Sequence, residues 1–183
     1  METRDIVFIA LFAAIVAILG VFPPIALPIT GVPISAQSLG PMLAGGVLGA
    51  RRGAFSMLLF VVLIALGLPL LSGGRGGLGI FISPTGGFLV SWIFAAAVVG
   101  WLVERFWHRL NFTRAFLAAV IGGIGVIYAI GIPWSAAASH LPLSTAALAA
   151  LPFLIGDIAK AVIAAFVTLS VKRSYPIIQL KSR

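Results

Sequence analysis

An all-helical membrane protein with six transmembrane helices is the fold class that the sequence predicts, and three observations lead to it. Apolar residues make up 61% of the 183-residue chain and charged residues only 9%, against about 45–50% and about 25% in a soluble domain. The apolar residues form runs long enough to cross a bilayer. Nearly all the basic residues fall between or beyond those runs. A soluble fold of this length could not bury so much apolar surface, and a disordered chain would be far richer in charge.

Six apolar runs are candidates for the transmembrane helices, because a bilayer core about 30 Å thick needs about 20 mostly apolar residues in a helix. The second run is the shortest and is rich in glycine. The first run is long and no clear A-x-A cleavage site follows it, so we expect a retained helix rather than a signal peptide. The predicted spans are 5–22, 35–50, 54–71, 86–105, 114–133 and 148–171, and we expect them to form a single integral-membrane domain over residues 1–183.

The distribution of positive charge predicts the orientation of the spans. The chain carries 12 Lys and Arg against 4 Asp and Glu, a formal net charge of +8. In a soluble protein this excess would suggest nucleic acid as a partner. Here ten of the twelve basic residues share one side of a six-span arrangement, so we expect both termini in the cytoplasm and no nucleic-acid partner. The ten are Arg4, Arg51, Arg52, Arg105, Arg109, Arg114, Lys172, Arg173, Lys181 and Arg183.

Sequence motifs for enzymatic chemistry are missing. The chain has no cysteine, which removes thiolate metal sites and cysteine nucleophiles. No lysine completes a Walker A motif, and Gly74, Gly76 and Gly79 match G-x-G-x-x-G without the preceding strand that a dinucleotide site requires. The two histidines lie on opposite predicted sides of the membrane and cannot share a metal. We therefore expect no catalytic residue, no metal and no cofactor, and we expect the protein not to be an enzyme.

Asp157 and Lys160 are the two charged residues that fall well inside a predicted span. Such residues cost roughly 2.5–3.5 kcal/mol each at a helix centre on insertion scales. Their i,i+3 spacing puts both on one helix face, where the carboxylate and the ammonium group can approach each other. Together they offer acceptors and donors to one polar ligand group, such as a cyclic urea or amide. An ion pair that only holds helices together is the alternative interpretation.

Polar residues near the outer ends of the spans are candidates for lining a pocket. The outer connections are expected to be long, and long ordered loops are often functional. Arg75 is the only cation on that side, and its guanidinium could bind a substrate carboxylate; a solvated loop arginine is the alternative. Gln37 opens the second span. Tyr128 lies near the outer end of the fifth span, where an aromatic residue at the membrane interface would look the same. Ser38 and Thr85 are further candidates.

Small residues at four-residue spacing define two faces of the first span. Ala10 and Ala14 form one A-x-x-x-A pattern, and Ala13 and Ala17 form a second. Such patterns let helix backbones approach closely, within one protein or between two. A solute carrier without an ATPase motif would need an external energy source. A partner protein is therefore one expected occupant of such a face, and internal packing is the other.

Six sequence motifs occur in order along nearly the whole chain. They are VPISAQSLG (32–40), LGARRG (48–53), GLP (67–69), GGRGG (73–77), PTGGF (84–88) and PFLIGDIAK (152–160). With these motifs the sequence resembles the biotin-specific substrate-binding (S) components of energy-coupling-factor (ECF) transporters, the BioY family. Several motifs in order are far more specific than any one of them alone.

The resemblance implies a six-helix S component in the cell membrane that binds biotin from outside. It also implies two kinds of partner, a transmembrane coupling (T) protein and two cytoplasmic ATPases. In the family, the Asp and Lys of the last helix are tied to ligand binding, and they correspond to Asp157 and Lys160. The A-x-x-x-A face of the first helix corresponds to Ala10 and Ala14, which would dock the coupling protein.

The resemblance also implies how biotin would lie in the site. Its ureido ring would meet the Asp–Lys pair, and its carboxylate would approach Arg75. Its apolar ring and chain would lie against walls such as Phe88 and Tyr128. The family often has tyrosine where this chain has Phe88, which keeps the aromatic wall without the hydroxyl. The alternatives are an S component for another vitamin and a structural membrane protein.

Overall fold

The computed structural model describes residues 2–25 and 32–178, and these two stretches form a helical bundle. No β-sheet occurs in the described residues, where single β-bridges join Ile25 to Ile34 and Leu71 to Arg75. The all-α fold class is confirmed. The helices are α1 (Thr3–Leu19), α2 (Leu39–Leu48), α3 (Ala50–Ala65), α4 (Gly79–Ile82), α5 (Gly86–Arg105), α6 (Phe112–Ala138) and α7 (Leu143–Ser174).

Every predicted span corresponds to one of these helices. The span 86–105 has the bounds of α5, and the spans 114–133 and 148–171 lie inside α6 and α7. Those three are the helices, among the described residues, that are long and apolar enough to cross a membrane. Helices α1, α2 and α3 are shorter, with 17, 10 and 16 residues. The count of six spans stays a prediction.

The connection between α6 and α7 is shorter than the sequence suggested. The fifth predicted span ends at residue 133 and the sixth begins at residue 148, so a long connection was expected between them. Instead α6 continues through Pro133 to Ala138, and α7 begins at Leu143. Proline is tolerated inside helices of membrane proteins because neighbouring groups satisfy the freed carbonyl. The two other connections predicted for the outer side, between α1 and α2 and between α3 and α5, are longer in sequence.

The one-residue join between α2 and α3 requires a glycine. Gly49 has a φ of +86°, which side chains other than glycine rarely adopt. A Cβ atom there would lie 2.1 Å from Oε1 of Glu104. The same oxygen accepts a hydrogen bond from the backbone N–H of Ala50 (2.9 Å), at the start of α3. Glu104 therefore holds this join against the C-terminal end of α5.

The basic ends of the helices lie together at one end of the bundle. Arg52, near the start of α3, forms an ion pair with Asp5 in the first turn of α1 (2.7 Å). Near the end of α7, the Lys172 ammonium donates to a carbonyl of the α5–α6 connection (2.6 Å). This clustering is what a cytoplasmic face requires, and the side that it faces stays a prediction. Lys181 and Arg183, which were also predicted there, lie outside the described residues.

Helix α5 occupies the middle of the bundle and packs against α2, α3 and α6. Glycines allow backbones to approach it closely. A Cβ atom on Gly45 of α2 would lie 2.4 Å from the carbonyl oxygen of Ala96, and one on Gly122 of α6 would lie 2.7 Å from the nitrogen of Val99. Close packing of this kind is how membrane helices associate without a hydrophobic drive between them. A cavity lies at the N-terminal end of α5, beside Phe88, Leu89 and Trp92.

Candidate ligand-binding site

A cavity of about 600 Å³, including its open mouth, lies at the end of the bundle opposite the basic cluster. Its wall combines apolar and aromatic side chains with a few polar ones, as small-molecule sites do. The apolar wall is Val32, Pro33, Ile34, Leu71, Phe88, Leu89, Trp92, Ile127 and Phe153, and the polar wall is Ser35, Gln37, Ser38, Ser72, Arg75, Thr85, Tyr128, Asp157 and Lys160.

The Asp157 carboxylate accepts three hydrogen bonds in the cavity wall. The side chain is buried, in the middle of α7. Its Oδ1 accepts from Lys160 Nζ (2.9 Å) and from Ser38 Oγ (3.0 Å), and its Oδ2 accepts from the Tyr128 hydroxyl (2.9 Å). The predicted contact across the i,i+3 spacing is confirmed. Three donors, one of which carries the opposite charge, offset the cost of keeping this carboxylate inside an apolar bundle.

The Lys160 ammonium has all three of its N–H donors in use. It donates to the Ser35 carbonyl oxygen (2.7 Å), to Ser38 Oγ (2.8 Å) and to Asp157 Oδ1 (2.9 Å). Ser38 thus accepts from the ammonium and donates to the carboxylate. Because an ammonium group has three donors, a ligand oxygen that binds Lys160 directly must share or replace one of these acceptors.

Tyr128 reaches the Asp157 carboxylate from α6, where the backbone departs from the regular α-helix. The segment Ala119–Val126 is π-helical, and Tyr128 is the second residue after it. A π-helical turn contains more residues than an α-helical one, so it rotates the side chains that follow relative to those that precede. The apolar sequence of this segment gives no sign of the change.

Arg75 lies in the loop after α3 and borders the cavity. Its Nε donates to the Ser72 carbonyl (3.3 Å), and its guanidinium approaches the Thr85 hydroxyl (3.5 Å). No ion pair to Arg75 occurs among the described residues. Burial lowers the pKa of the guanidinium from its ordinary value, but arginine stays charged in proteins. A half-buried cation without a carboxylate partner can bind an anionic group.

Gln37 is placed in the cavity wall, as predicted, but its amide is fully engaged by the protein. Its Nε2 donates to the carbonyls of Val16 (3.0 Å) and Leu70 (2.8 Å). Its Oε1 accepts from the backbone N–H (2.8 Å) and the hydroxyl (3.0 Å) of Ser72. The side chain therefore ties α1 to the loop that carries Arg75. A direct ligand contact through its amide stays a prediction.

Phe88 is placed in the aromatic wall. It packs edge-on against Phe153, with 6.2 Å between ring centroids. Gly131 of α6 makes room for its ring, because a Cβ atom there would lie 2.4 Å from Phe88 Cδ1. Sequence analysis missed Phe153 and Trp92 as lining residues. Helical spacing could have found both, since Trp92 lies four residues after Phe88, and Phe153 four residues before Asp157.

The Ser35 carbonyl is a site group that no sequence pattern could have revealed, because any residue type supplies one. Ala10 and Ala14 lie away from the cavity, exposed on the outer face of α1, whereas Ala13 is buried against the core. The structure therefore separates the two A-x-x-x-A patterns. The Ala13–Ala17 pattern serves internal packing. The Ala10–Ala14 pattern is exposed and is not covered by any other part of the described residues.

A buried ion pair in a cavity at one end of an apolar helical bundle is the arrangement of a membrane-embedded solute-binding protein. Comparison with known proteins agrees. The model of the BioY family matches residues 1–177, and the chain belongs to the BioY family. It is a multi-pass protein of the cell membrane.

Named relatives and one solved structure are similar over almost their full lengths. A biotin transporter BioY of Rhizobium etli is 51% identical over 187 residues, with 100% of both chains covered. A biotin transporter BioY of Rhodobacter capsulatus is 45% identical, with 94% of this chain and 95% of that protein covered. The crystal structure of the S-component for biotin from an ECF-type ABC transporter superposes with a TM-score of 0.91, at 28% identity and with 97% of each chain covered.

Proposed function

We propose that this protein takes up biotin as the membrane-embedded S component of an ECF-type ABC transporter. The observation that carries the proposal is the Asp157–Lys160 pair, buried in the wall of a largely apolar cavity in a BioY-family chain. The family relatives are named as biotin transporters. The cavity has hydrogen-bonding groups that match those of biotin.

The ureido ring of biotin presents two N–H donors and one carbonyl acceptor. Asp157 supplies carboxylate oxygens that accept from the two N–H groups, and Lys160 supplies an ammonium that donates to the carbonyl. Lys160 Nζ and Asp157 Oδ1 are 2.9 Å apart. Charge-assisted hydrogen bonds of this kind are about twice as strong as neutral ones. The carbonyl takes the place of the Ser35 or Ser38 oxygen at Lys160. The thiophane ring and the valeryl chain lie against Phe88 and the rest of the apolar wall.

Arg75 receives the biotin carboxylate at the mouth of the same cavity. The Ser72 carbonyl and the Thr85 hydroxyl hold the guanidinium there. Arginine forms paired, geometrically specific hydrogen bonds with a carboxylate. The site thus recognises both ends of the ligand, with a carboxylate–ammonium pair at one polar position, a cation at the other and an apolar wall between them.

The transport partners of the chain are a transmembrane coupling protein and two cytoplasmic ATPases. The exposed Ala10–Ala14 face of α1 supports a docking surface for the coupling protein, because small residues allow close helix contact. The chain itself acts as one membrane domain with six spans and performs no catalysis. ATP hydrolysis by the partners drives release of biotin to the inside.

Titration of the purified chain tests the proposed function. We expect biotin to bind to one site, and a large excess of a vitamin without a urea group, such as thiamine, not to displace it. Protonated iminobiotin has an N–H donor where biotin has its carbonyl acceptor, so it loses the hydrogen bond from Lys160 and should bind more weakly by at least about 10-fold, or 1.4 kcal/mol. Displacement of biotin by thiamine, or equal affinity for iminobiotin, would contradict the proposal.

The predicted orientation is tested by cysteine labelling, for which the cysteine-free chain is a ready background. Leu78 is 72% exposed, in the loop that contains Arg75. We expect Leu78→Cys to react with an impermeant maleimide in intact cells. Arg109→Cys, exposed at the basic end of the bundle, is the matched control and should react only after permeabilisation. The reverse pattern would overturn the cytoplasmic placement of the termini.

A further inference from the structure

The connection between α5 and α6 gathers positive charge at one place on the basic end of the bundle. Arg105 and Arg109 are exposed there. The Arg114 guanidinium donates to the Arg109 carbonyl and lies 5.7 Å from the Phe106 ring centroid. The Lys172 ammonium donates to the Trp107 carbonyl (2.6 Å) and lies 5.2 Å from the centroid of its ring. We refer to Arg105, Arg109, Arg114 and Lys172 as the connection patch.

Side-chain carboxylates do not neutralise the connection patch. The chain has four acidic residues, all at described positions. The Glu2 side chain caps α1, and Asp5 pairs with Arg52. Asp157 lies in the ligand cavity, and Glu104 Oε1 accepts from the backbone N–H of Ala50. The four cations therefore lack an ion-pair partner within the described residues, and their charge is available to an external anion.

Exposed aromatic rings lie directly beside these cations. Phe106, Phe112 and Phe166 are 44%, 37% and 60% exposed, and the last two rings are 4.8 Å apart. Two of the helices that meet here, α5 and α6, are long and apolar enough to cross the membrane. Tryptophan and basic residues at helix ends typically lie at the bilayer surface, and Trp107 and the four cations are residues of these kinds. The patch therefore presents cations at headgroup level and an aromatic surface on the acyl-chain side.

We propose that the connection patch binds the headgroup of an anionic phospholipid. The phosphate and any second negative group of the lipid meet the Arg105, Arg109, Arg114 and Lys172 cations, and an acyl chain lies along Phe112 and Phe166. A soluble phosphate would use the cations alone and leave the aromatic surface uncovered. Basic surface at helix ends attracts anionic lipid with about 1 kcal/mol per residue. The bound lipid fixes the ends of α5, α6 and α7 relative to one another.

Fluorescence quenching by brominated lipids tests this site in reconstituted vesicles. Trp107 is the probe, and Trp101→Phe and Trp134→Phe remove the other exposed indoles; Trp92 is buried. We expect brominated phosphatidylglycerol to quench the parent more strongly than brominated phosphatidylcholine does, with a preference that decreases as salt is raised.

Two double variants, each losing two positive charges, decide whether the preference belongs to the patch. Arg105→Gln/Arg109→Gln should lower it by up to about 30-fold, which is about 5-fold per residue. The matched control, Arg4→Gln/Arg51→Gln, removes two exposed arginines at the same end of the bundle and should keep the preference. Equal losses in both variants would reduce the effect to net charge and overturn the proposal.

Three further results would also overturn it. The first is a parent protein without headgroup preference. The second is an Arg105→Gln/Arg109→Gln variant that keeps the preference but no longer assembles with its membrane partner, since the patch would then be a protein-docking surface. The third comes from native mass spectrometry of the parent, which decides if this variant does not fold. There, release of phosphatidylglycerol as easily as phosphatidylcholine would contradict the proposal.

Discussion

Asp157→Asn weakens biotin binding by about 10- to 100-fold, which is the largest effect that we expect from one substitution in the cavity. Hydrogen bonds to charged groups are worth roughly 1.5–3 kcal/mol. The change removes the charged acceptor for the ureido N–H groups and leaves Lys160 without its counter-charge at 2.9 Å. The new amide N–H₂ also competes with the donors on Ser38 and Tyr128. Isothermal titration with biotin measures the loss.

Tyr128→Phe is the graded comparison for this variant. It removes the hydroxyl that donates to Asp157 Oδ2 (2.9 Å) and keeps the ring in the cavity wall. A single hydrogen bond of ordinary strength is worth about 0.5–1.5 kcal/mol, so we expect a loss of about 2- to 13-fold, smaller than that of Asp157→Asn. Parent-like affinity in a folded Asp157→Asn variant would show that the carboxylate does not bind the ligand.

Ala14→Trp strongly impairs transport by the assembled complex and leaves biotin binding by the isolated chain nearly unchanged. Ala14 lies on the exposed face of α1, outside the ligand cavity. An indole there holds a partner helix away from the backbone that it must approach. We expect uptake in cells to decrease by at least about 10-fold, since a loss of 1.4 kcal/mol of packing already has that effect.

Ala147→Trp is the matched control, because Ala147 is an exposed alanine on a different helix, α7. It should change neither uptake nor biotin binding. If Ala14→Trp loses binding together with transport, its face serves the packing of the chain itself. If both tryptophan variants lose transport equally, added bulk at the membrane surface is the cause, and the docking hypothesis is wrong.

Composition and charge were sufficient to predict a helix at each of the six apolar runs and the buried ion pair, but not the short helix α4. The bounds of α5 followed from a single apolar run that ends in Glu104 and Arg105. Asp157 and Lys160 stood out because a charge inside an apolar span is costly and needs a partner. Their contact then followed from helix periodicity alone. These properties depend on local sequence, which is why sequence reasoning reached them.

Other properties of the site depend on tertiary structure and were not predictable. Gln37 looks like any polar residue at a helix start, and its four hydrogen bonds depend on where α1 and the loop of Ser72 pass. The π-helical segment before Tyr128 consists of small and apolar residues that fit an α-helix equally well. The Ser35 carbonyl accepts from Lys160 only because residues 125 positions apart in the chain meet in the folded structure.

The central claim is that the Asp157–Lys160 pair binds biotin rather than only joining helices. The most direct measurement is biotin titration of the double variant Asp157→Asn/Lys160→Met, beside its thermal unfolding. This variant removes both buried charges together with their desolvation cost, so it should remain folded. The account predicts a melting temperature near that of the parent and a biotin affinity lower by at least about 10-fold. Parent-like affinity in the folded double variant would contradict it.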